Sequence, residues 1–295
     1  MSVRTSPVAA AAPAMPARSA LFGASALGRW LVTLLLTVLA VATLYPLFFT
    51  LLTSLKSRSD FAQNPLGFTA DLTLDNYVAA FERMNVPRLL LNSVVTTAGG
   101  LLISTVAALF LAYAVTKLRI RGGNLIFLFI IAMLVIPSQV IIYPLYETIL
   151  TFGMGGTYQG LIFTYAAFGL PLGTYLLAAY FRAVPDDLIE AARLDGAGEL
   201  RILFSIMLPV SLPAIAAISI LNFVWMWNDL LLPLVIMGGS DNKTLMVGVS
   251  LLSGQYDVSI PLVSAGLVIA LAPVVLVYFV FQRQILSGAI AGAVR

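Results

Sequence analysis

Apolar residues in this chain run in long blocks rather than alternating with polar ones. Six blocks reach the roughly 20 residues that a helix needs to cross the hydrocarbon core of a bilayer. They cover residues 30–52, 90–115, 125–145, 161–181, 210–237 and 260–281. The pattern predicts an all-α membrane protein with six transmembrane helices. Prolines interrupt the blocks at Pro46, Pro137, Pro144, Pro171, Pro233 and Pro273. Helices packed among other helices tolerate such kinks, because neighbours can satisfy the carbonyls that a proline frees. A bundle able to change shape is the expectation. Ahead of the first block, residues 1–28 are rich in Ala, Pro and Ser and lack an apolar face, which predicts a mobile tail. The apolar run after Arg29 is longer than the about 7–15 residues of a signal sequence, so it is read as a span. The expected organisation is a tail at 1–28, a first span and outer loop at 29–84, and a core domain at 85–295 with a loop at 182–209.

Composition narrows the chemistry. Of 295 residues, 60% are hydrophobic and only 10% charged, against about 25% charged in soluble domains. The mean hydropathy is +1.00. Cysteine and histidine are both absent, which removes disulfides and thiol or imidazole chemistry and would leave a zinc site only carboxylates. A membrane enzyme would need a convergent catalytic set, and these residues do not supply one. The net charge of +3 is too small to point to nucleic acid.

Basic residues instead report orientation. One side of the predicted bundle carries Arg4, Arg18, Arg29, Lys117, Arg119, Arg121, Arg182, Arg193, Arg201, Arg283 and Arg295. The other carries Lys56, Arg58, Arg83, Arg88 and Lys243, which completes the 16 basic residues. Cytoplasmic loops hold the excess of Lys and Arg, so both termini and the loop at 182–209 are expected in the cytoplasm.

That loop reads as two helical pieces. Pro185 suits the first position of a helix, where its missing N–H costs nothing. Asp186 and Asp187 complement the positive end of the helix dipole. Asp195-Gly196 supplies a stop, since Gly accepts the left-handed conformation that ends helices. A second piece at about 199–207 is expected to be interrupted at Pro209. Ala191 and Ala192 would let another surface approach the backbone closely. Leu188, Ile189, Leu200, Leu203 and Phe204 are apolar in a loop that should face water, and such a patch implies a partner surface. Packing of the hairpin on the protein's own helix ends would account for them equally well.

The pattern Glu190-Ala191-Ala192, three residues, Gly196, nine residues, Ile206-x-Leu208-Pro209 resembles the EAA loop of bacterial binding-protein-dependent ABC permeases. Further segments are similar to the sugar-importer branch of that family: Leu91-Asn92-Ser93, Ala112-Tyr113-Ala114 with Lys117-Leu118-Arg119, Ile136-Pro137-Ser138-Gln139, Trp227-Asn228-Asp229, and the stretch from Gln282-Arg283 to Gly292-Ala293-Val294. The likeness covers about residues 29–295 and is to the MalG-like subunits of carbohydrate importers. One departure is the end at Arg295, where relatives often continue with Lys-Gly.

The resemblance implies a type I ABC importer permease fold in a bacterial or archaeal cytoplasmic membrane. It also implies a second, MalF-like permease subunit, an ATPase dimer, and an extracytoplasmic substrate-binding protein. Glu190, Ala191, Ala192, Asp195, Gly196, Ile206, Leu208 and Pro209 would then couple to the ATPase, with Glu190 making an ionic or hydrogen-bonded contact. The chain has no Gly-Lys pair, hence no phosphate-binding loop of the G-x-x-x-x-G-K-[ST] type. No cofactor is expected on this chain; ATP and Mg would be used by the partner, and the chain itself would not be an enzyme. The substrate implied is a disaccharide or oligosaccharide, with glycerol-3-phosphate, polyols or other solutes as alternatives. An ion-coupled secondary transporter would predict inverted repeats, which are not detected, and would leave the pattern at 190–209 unexplained.

A path through the bilayer must be lined by polar groups. Asp229 is the only acidic residue well within a predicted span, and mid-membrane Asp costs about 2.5–3.5 kcal/mol on insertion scales. Asn222, Trp225 and Asp229 fall at i, i+3 and i+7, on one helical face. Gln139, Tyr143 and Glu147 recur at i, i+4 and i+8 on the third span. Aromatic rings beside amides and carboxylates suit a sugar. Trp225 and Trp227 at a lipid interface, and Asn222 as a bridge between helices, are the competing readings.

Overall fold

The computed structural model describes residues 26–68, 71–118, 120–254 and 259–293, with side chains from 28 to 282. The expected tail, apart from its last three residues, lies outside the described residues, as do Arg119, Val294 and Arg295. No strand occurs among the described residues, in keeping with the all-α expectation.

Two units make up the chain, residues 1–49 and 50–295. In the first, the described part is most of α1 (Ala26–Ser54), which is long and apolar enough to cross a bilayer. Its Thr37 and Thr43 hydroxyls donate to Thr33 O and Leu39 O at 2.8 Å, so these donors need no water.

The second unit opens with the end of α1 and a loop carrying α2 (Arg58–Gln63) and α3 (Asp75–Met84). Lys56, fully buried, pins this loop by donating to Asn64 O at 2.6 Å and Gly67 O at 2.5 Å. Asn76 donates to Ser54 O and Lys56 O at 2.9 and 2.8 Å.

The centre of the bundle is the pair α4 (Val86–Thr116) and α7 (Tyr158–Ala183). They pack in parallel, because rising numbers on one meet rising numbers on the other. Gly100 lies against Tyr165, Ser104 against Gly169, Ala108 against Gly173, and Tyr113 against Phe181. A Cβ placed on Gly100 would come 2.7 Å from Tyr165 Cβ, and one on Gly173 2.9 Å from Ala108 Cβ. Small residues let helix backbones approach where no hydrophobic force distinguishes protein from lipid. Two buried clusters lie at opposite ends of α4. One holds Leu109, Tyr113, Phe181 and Val184; the other holds Val86 and Leu89 with Leu245 and Val249 of α12 (Leu245–Leu251).

Two predicted spans take a different form. The third is a pair, α5 (Gly123–Ala132), extended by a 3₁₀ turn at Met133–Val135, and α6 (Ser138–Thr151), bent by 107° between them. Pro137 causes the break, since proline pushes the residue before it out of the α region, and Ile136 is extended at φ −85°, ψ 113°. Among the described residues five helices meet the length and composition of a span, and six if this bent pair counts as one.

The fifth, expected at 210–237, instead runs Glu199–Asn228. It comprises α9 (Glu199–Ile202), a π-helical turn at Leu203–Met207, and α10 (Leu208–Asn228). Pro209 therefore does not interrupt the helix. The π turn takes up one extra residue, with Leu208 N–H donating to Leu203 O, and Pro209 falls in the first turn after it. The helix breaks twenty residues later, at Asp229 (φ −69°, ψ 126°), and resumes as α11 (Leu231–Met237). Pro233 thereby falls in the first turn of α11, where its missing N–H loses no bond. The last span is α13 (Ile260–Ala293), tied to α10 by Trp227 Nε1, which donates to Ala270 O at 3.1 Å.

Because Gly100 faces the Tyr165 Cβ rather than a flexible chain end, Gly100→Val should overpack the α4–α7 seam. The expected loss is about 1–3 kcal/mol, seen as a lower midpoint in thermal unfolding of the detergent-solubilised protein. A midpoint equal to that of the unaltered protein would show the seam to be looser than described.

Candidate functional site

The loop between α7 and α10 is a helical hairpin. Its first helix, α8 (Asp186–Leu194), starts one residue later than expected, with Pro185 as an extended N-cap. The helix ends at Asp195, and Gly196 adopts φ +79°. Gly196 N–H donates to Arg193 O and Ala197 N–H to Ala192 O, each at 3.0 Å. This is the two-bond Schellman closure in which a left-handed residue satisfies the last carbonyls of a helix. The stop read from Asp195-Gly196 is thus present.

Charged groups lock the hairpin onto the end of α4. Lys117, nearly buried, donates to Asp186 Oδ1 at 2.6 Å and to Val184 O at 2.7 Å. Tyr113 Oη donates to Glu199 Oε2 at 2.6 Å. Arg193 reaches the same carboxylate through Nε at 2.8 Å and through a second nitrogen at 3.3 Å. The Glu199 hydrogen bond is the main cause that raises the Arg193 pKa further above its ordinary value. Asp186 therefore does more than complement the helix dipole.

The hairpin has two faces. On the inner one Ile189, Ile202, Leu203 and Met207 are buried against Tyr113, Phe181 and Val184, with Ala192, Ile206 and Leu208 partly buried beside them. On the outer one Leu188, Leu200 and Phe204 are exposed, the Phe204 ring standing edge-on to Phe110 of α4 at 5.9 Å, and Leu194 is 89% exposed. Glu190, Ala191, Asp195, Gly196 and Pro209 are exposed as well. Of the five apolar residues noted in the sequence, Ile189 and Leu203 pack on the protein's own helix ends, while Leu188, Leu200 and Phe204 stay exposed. Leu194, the most exposed of the group, was missed; its place at the end of α8, just before the Asp195-Gly196 stop, puts it at the tip of the hairpin. The anchors Tyr113–Glu199 and Lys117–Asp186 were missed too; the signal was the pair of segments around Tyr113 and Lys117.

The residues read as a transport path separate into two sets. On α6, Gln139, Tyr143 and Glu147 share an exposed face. In the fifth span, Asn222 is buried and donates to Gly169 O at 3.3 Å, bridging α10 to α7. Trp225 packs its ring on Tyr165 and Phe168 at 5.8 and 5.9 Å between centroids. Asp229 does not share their helical face, because α10 ends one residue before it. Its Oδ1 accepts Leu231 N–H at 3.1 Å and starts α11. Its Oδ2 faces the buried Tyr165 hydroxyl, and neither atom meets hydrogen-bond geometry with a partner among the described residues. Among the described residues no hydrogen bond or ring contact joins the α6 set to the fifth-span set.

These features define a polytopic helical membrane protein that presents, at one end of its bundle, an anchored hairpin with an unfilled outer face. Residues 100–288 match the model of the family described as binding-protein-dependent transport system inner membrane component, and the chain belongs to that family. The diacetylchitobiose uptake system permease protein NgcG of Streptomyces coelicolor is 34% identical over 88% of this chain and 87% of its own length. The probable starch degradation products transport system permease protein AmyC of Thermoanaerobacterium thermosulfurigenes is 32% identical over 90% and 97%. Among solved structures, a chain of a bacterial ABC transporter involved in the import of the acidic polysaccharide alginate superposes with a TM-score of 0.74 at 23% identity. That match covers 92% of this chain and 99% of the other, so the two share a fold.

Apart from Gly196 and its chain neighbours, no atom of the described residues lies within 4 Å of a Cβ built on Gly196. Gly196→Ala should therefore cost only the left-handed strain, about 1–2 kcal/mol. Gly196→Leu should still insert in the membrane, and should stop uptake if the exposed face of the hairpin is where a partner seats. Uptake at the unaltered rate by the Leu variant would show that nothing covers the hairpin at Gly196 during transport.

Proposed function

We propose that this chain is one permease subunit of an ATP-driven, binding-protein-dependent importer of a disaccharide or oligosaccharide. The observation that carries the reading is the outer face of the hairpin: Leu188, Leu194, Leu200 and Phe204 are exposed, on a support whose inner face is already filled. A patch of that kind is built to be covered. Its occupant is an ATPase subunit, and Glu190 offers that partner a carboxylate. The excess of basic residues on the hairpin side supports a cytoplasmic location for the hairpin, and a cytoplasmic membrane for the protein.

The complete assembly holds a second permease, an ATPase dimer and an extracytoplasmic binding protein. ATP with Mg closes the ATPase pair, and the hairpins carry that motion into the bundles as a rigid-body tilt. Relatives named for diacetylchitobiose and for starch degradation products support a carbohydrate substrate. A relative named for osmoprotective compounds keeps smaller polar solutes in view. A solved relative in complex with a pentasaccharide-bound periplasmic protein supports the outer partner. Within this chain Gln139, Tyr143, Trp225 and Asp229 are the residues assigned to the sugar path. Asn222, bonded to Gly169 O, would shape that path from behind.

Affinity purification of the tagged chain from its own membranes should bring down an ATPase and a second permease in stable stoichiometry. Recovery of the chain alone, with ion-dependent uptake, would replace this reading by a secondary transporter. Asp229→Ala should reduce sugar uptake by reconstituted vesicles at least tenfold, the penalty expected for losing about 1.4 kcal/mol of polar contact. Unchanged uptake would remove Asp229 from the path.

A further inference from the structure

Two segments singled out in the sequence are left unused by docking alone: Leu91-Asn92-Ser93 and Tyr113 with Lys117. Both lie on α4 or at its end, at opposite extremities. At the hairpin end, Tyr113 and Lys117 hold three separate points: Glu199 of α9, Asp186 of α8, and the Val184 carbonyl that precedes the hairpin. At the other end, Asn92 Nδ2 donates to Lys243 O at 2.8 Å, and Ser93 Oγ accepts Leu245 N–H at 2.8 Å. Tyr158 Oη donates to Asn92 Oδ1 at 2.7 Å, adding the start of α7. The outer segment 243–245 is thus held by side chains of α4, as the hairpin is.

Between these anchors α4 is unbroken. Its 31 residues span about 45 Å at 1.5 Å per residue, and no proline interrupts it after its second position. Asn92, Thr96, Gly100, Ser104, Ala108 and Ala112 form a buried stripe at i+4 spacing along it. Lys117 and Asn92 are almost wholly buried; a buried donor left unpaired costs its full desolvation, so each anchor resists opening more than a surface contact would.

We propose that α4 is a through-membrane linkage that makes the hairpin and the outer segment 243–245 parts of one mechanical element. An outer event that displaces 243–245, namely docking of a substrate-loaded binding protein, is delivered by α4 to the face that the ATPase covers. Coupling between two sites is reciprocal, so ATP binding shifts the outer segment through the same helix. The proposal rests on the function proposed above, with Tyr113, Lys117, Asn92 and Ser93 as positioning residues that touch neither sugar nor nucleotide.

A spatially connected path counts as a linkage only when coupling along it is measured. The test uses the complete transporter in lipid nanodiscs, with ATP hydrolysis measured with and without saturating sugar-loaded binding protein. Tyr113→Phe and Ser93→Ala should each lower the stimulation ratio by at least about threefold, the effect of one lost hydrogen bond. The double variant should be no worse than the worse single, because links in series fail once. Multiplied effects, or a ratio unmoved by either single change, would overturn the linkage. A second measurement avoids dependence on those variants. The chain has no cysteine, so spin labels at Asp187→Cys and Leu91→Cys report the hairpin-to-α4 distance directly. That distance should stay constant between nucleotide-free and ATP-trapped states; a change would overturn the proposal. Absence of any ATPase in the preparation would instead sink the function on which it rests.

Discussion

Glu199 accepts hydrogen bonds from two sides, the Tyr113 hydroxyl of α4 and the Arg193 guanidinium of α8. One carboxylate thereby fixes three helices at the point where the bundle meets the hairpin. Charge-assisted bonds of this kind are shorter and stronger than neutral ones, and the Lys117–Asp186 pair repeats the arrangement at the start of α8. Without them the hairpin would be a helix–Gly–helix segment held only by Ile189, Ile202, Leu203 and Met207. With them its inner face is committed, and the outer face has a defined aim.

Much of this could be read from the chain alone, where the information is local. Membrane length, the helix stop at Gly196 and the break near Pro137 each depend on residues adjacent in sequence. The fifth span was misplaced for the opposite reason. Hydropathy runs on through Asp229 to Met237, and only the side-chain cap on Leu231 N–H shows that the helix ends and restarts. Pro209 looked like a breaker because a π turn leaves no trace in composition. The anchors were invisible to periodicity, since Tyr113 and Glu199 are 86 residues apart and Lys117 and Asp186 are 69 apart. Family resemblance picked out Tyr113 and Lys117 without saying what they hold.

Polar groups inside the bundle follow one economy. Threonines at 164 and 174 donate to carbonyls four residues back, and Asn222 and Trp227 donate to carbonyls of neighbouring helices. In a medium without water this satisfies donors that would otherwise cost several kcal/mol each, on the order of a lost amide transfer. The Tyr165 hydroxyl and Asp229 Oδ2 depart from it. They meet at the break between α10 and α11, and the Thr105 hydroxyl of α4 is a third such group.

The π turn at Leu203–Met207 sets the phase between two surfaces that share one continuous helix. One extra residue in a helical turn rotates everything before it by about 100° relative to everything after it. Leu200, before the turn, looks outward, while Ser211 and Ile218, after it, look into the bundle. Deleting a single residue from the turn would heal the hydrogen-bond ladder and still misdirect the hairpin, so the helix carries its local irregularity as an angular setting.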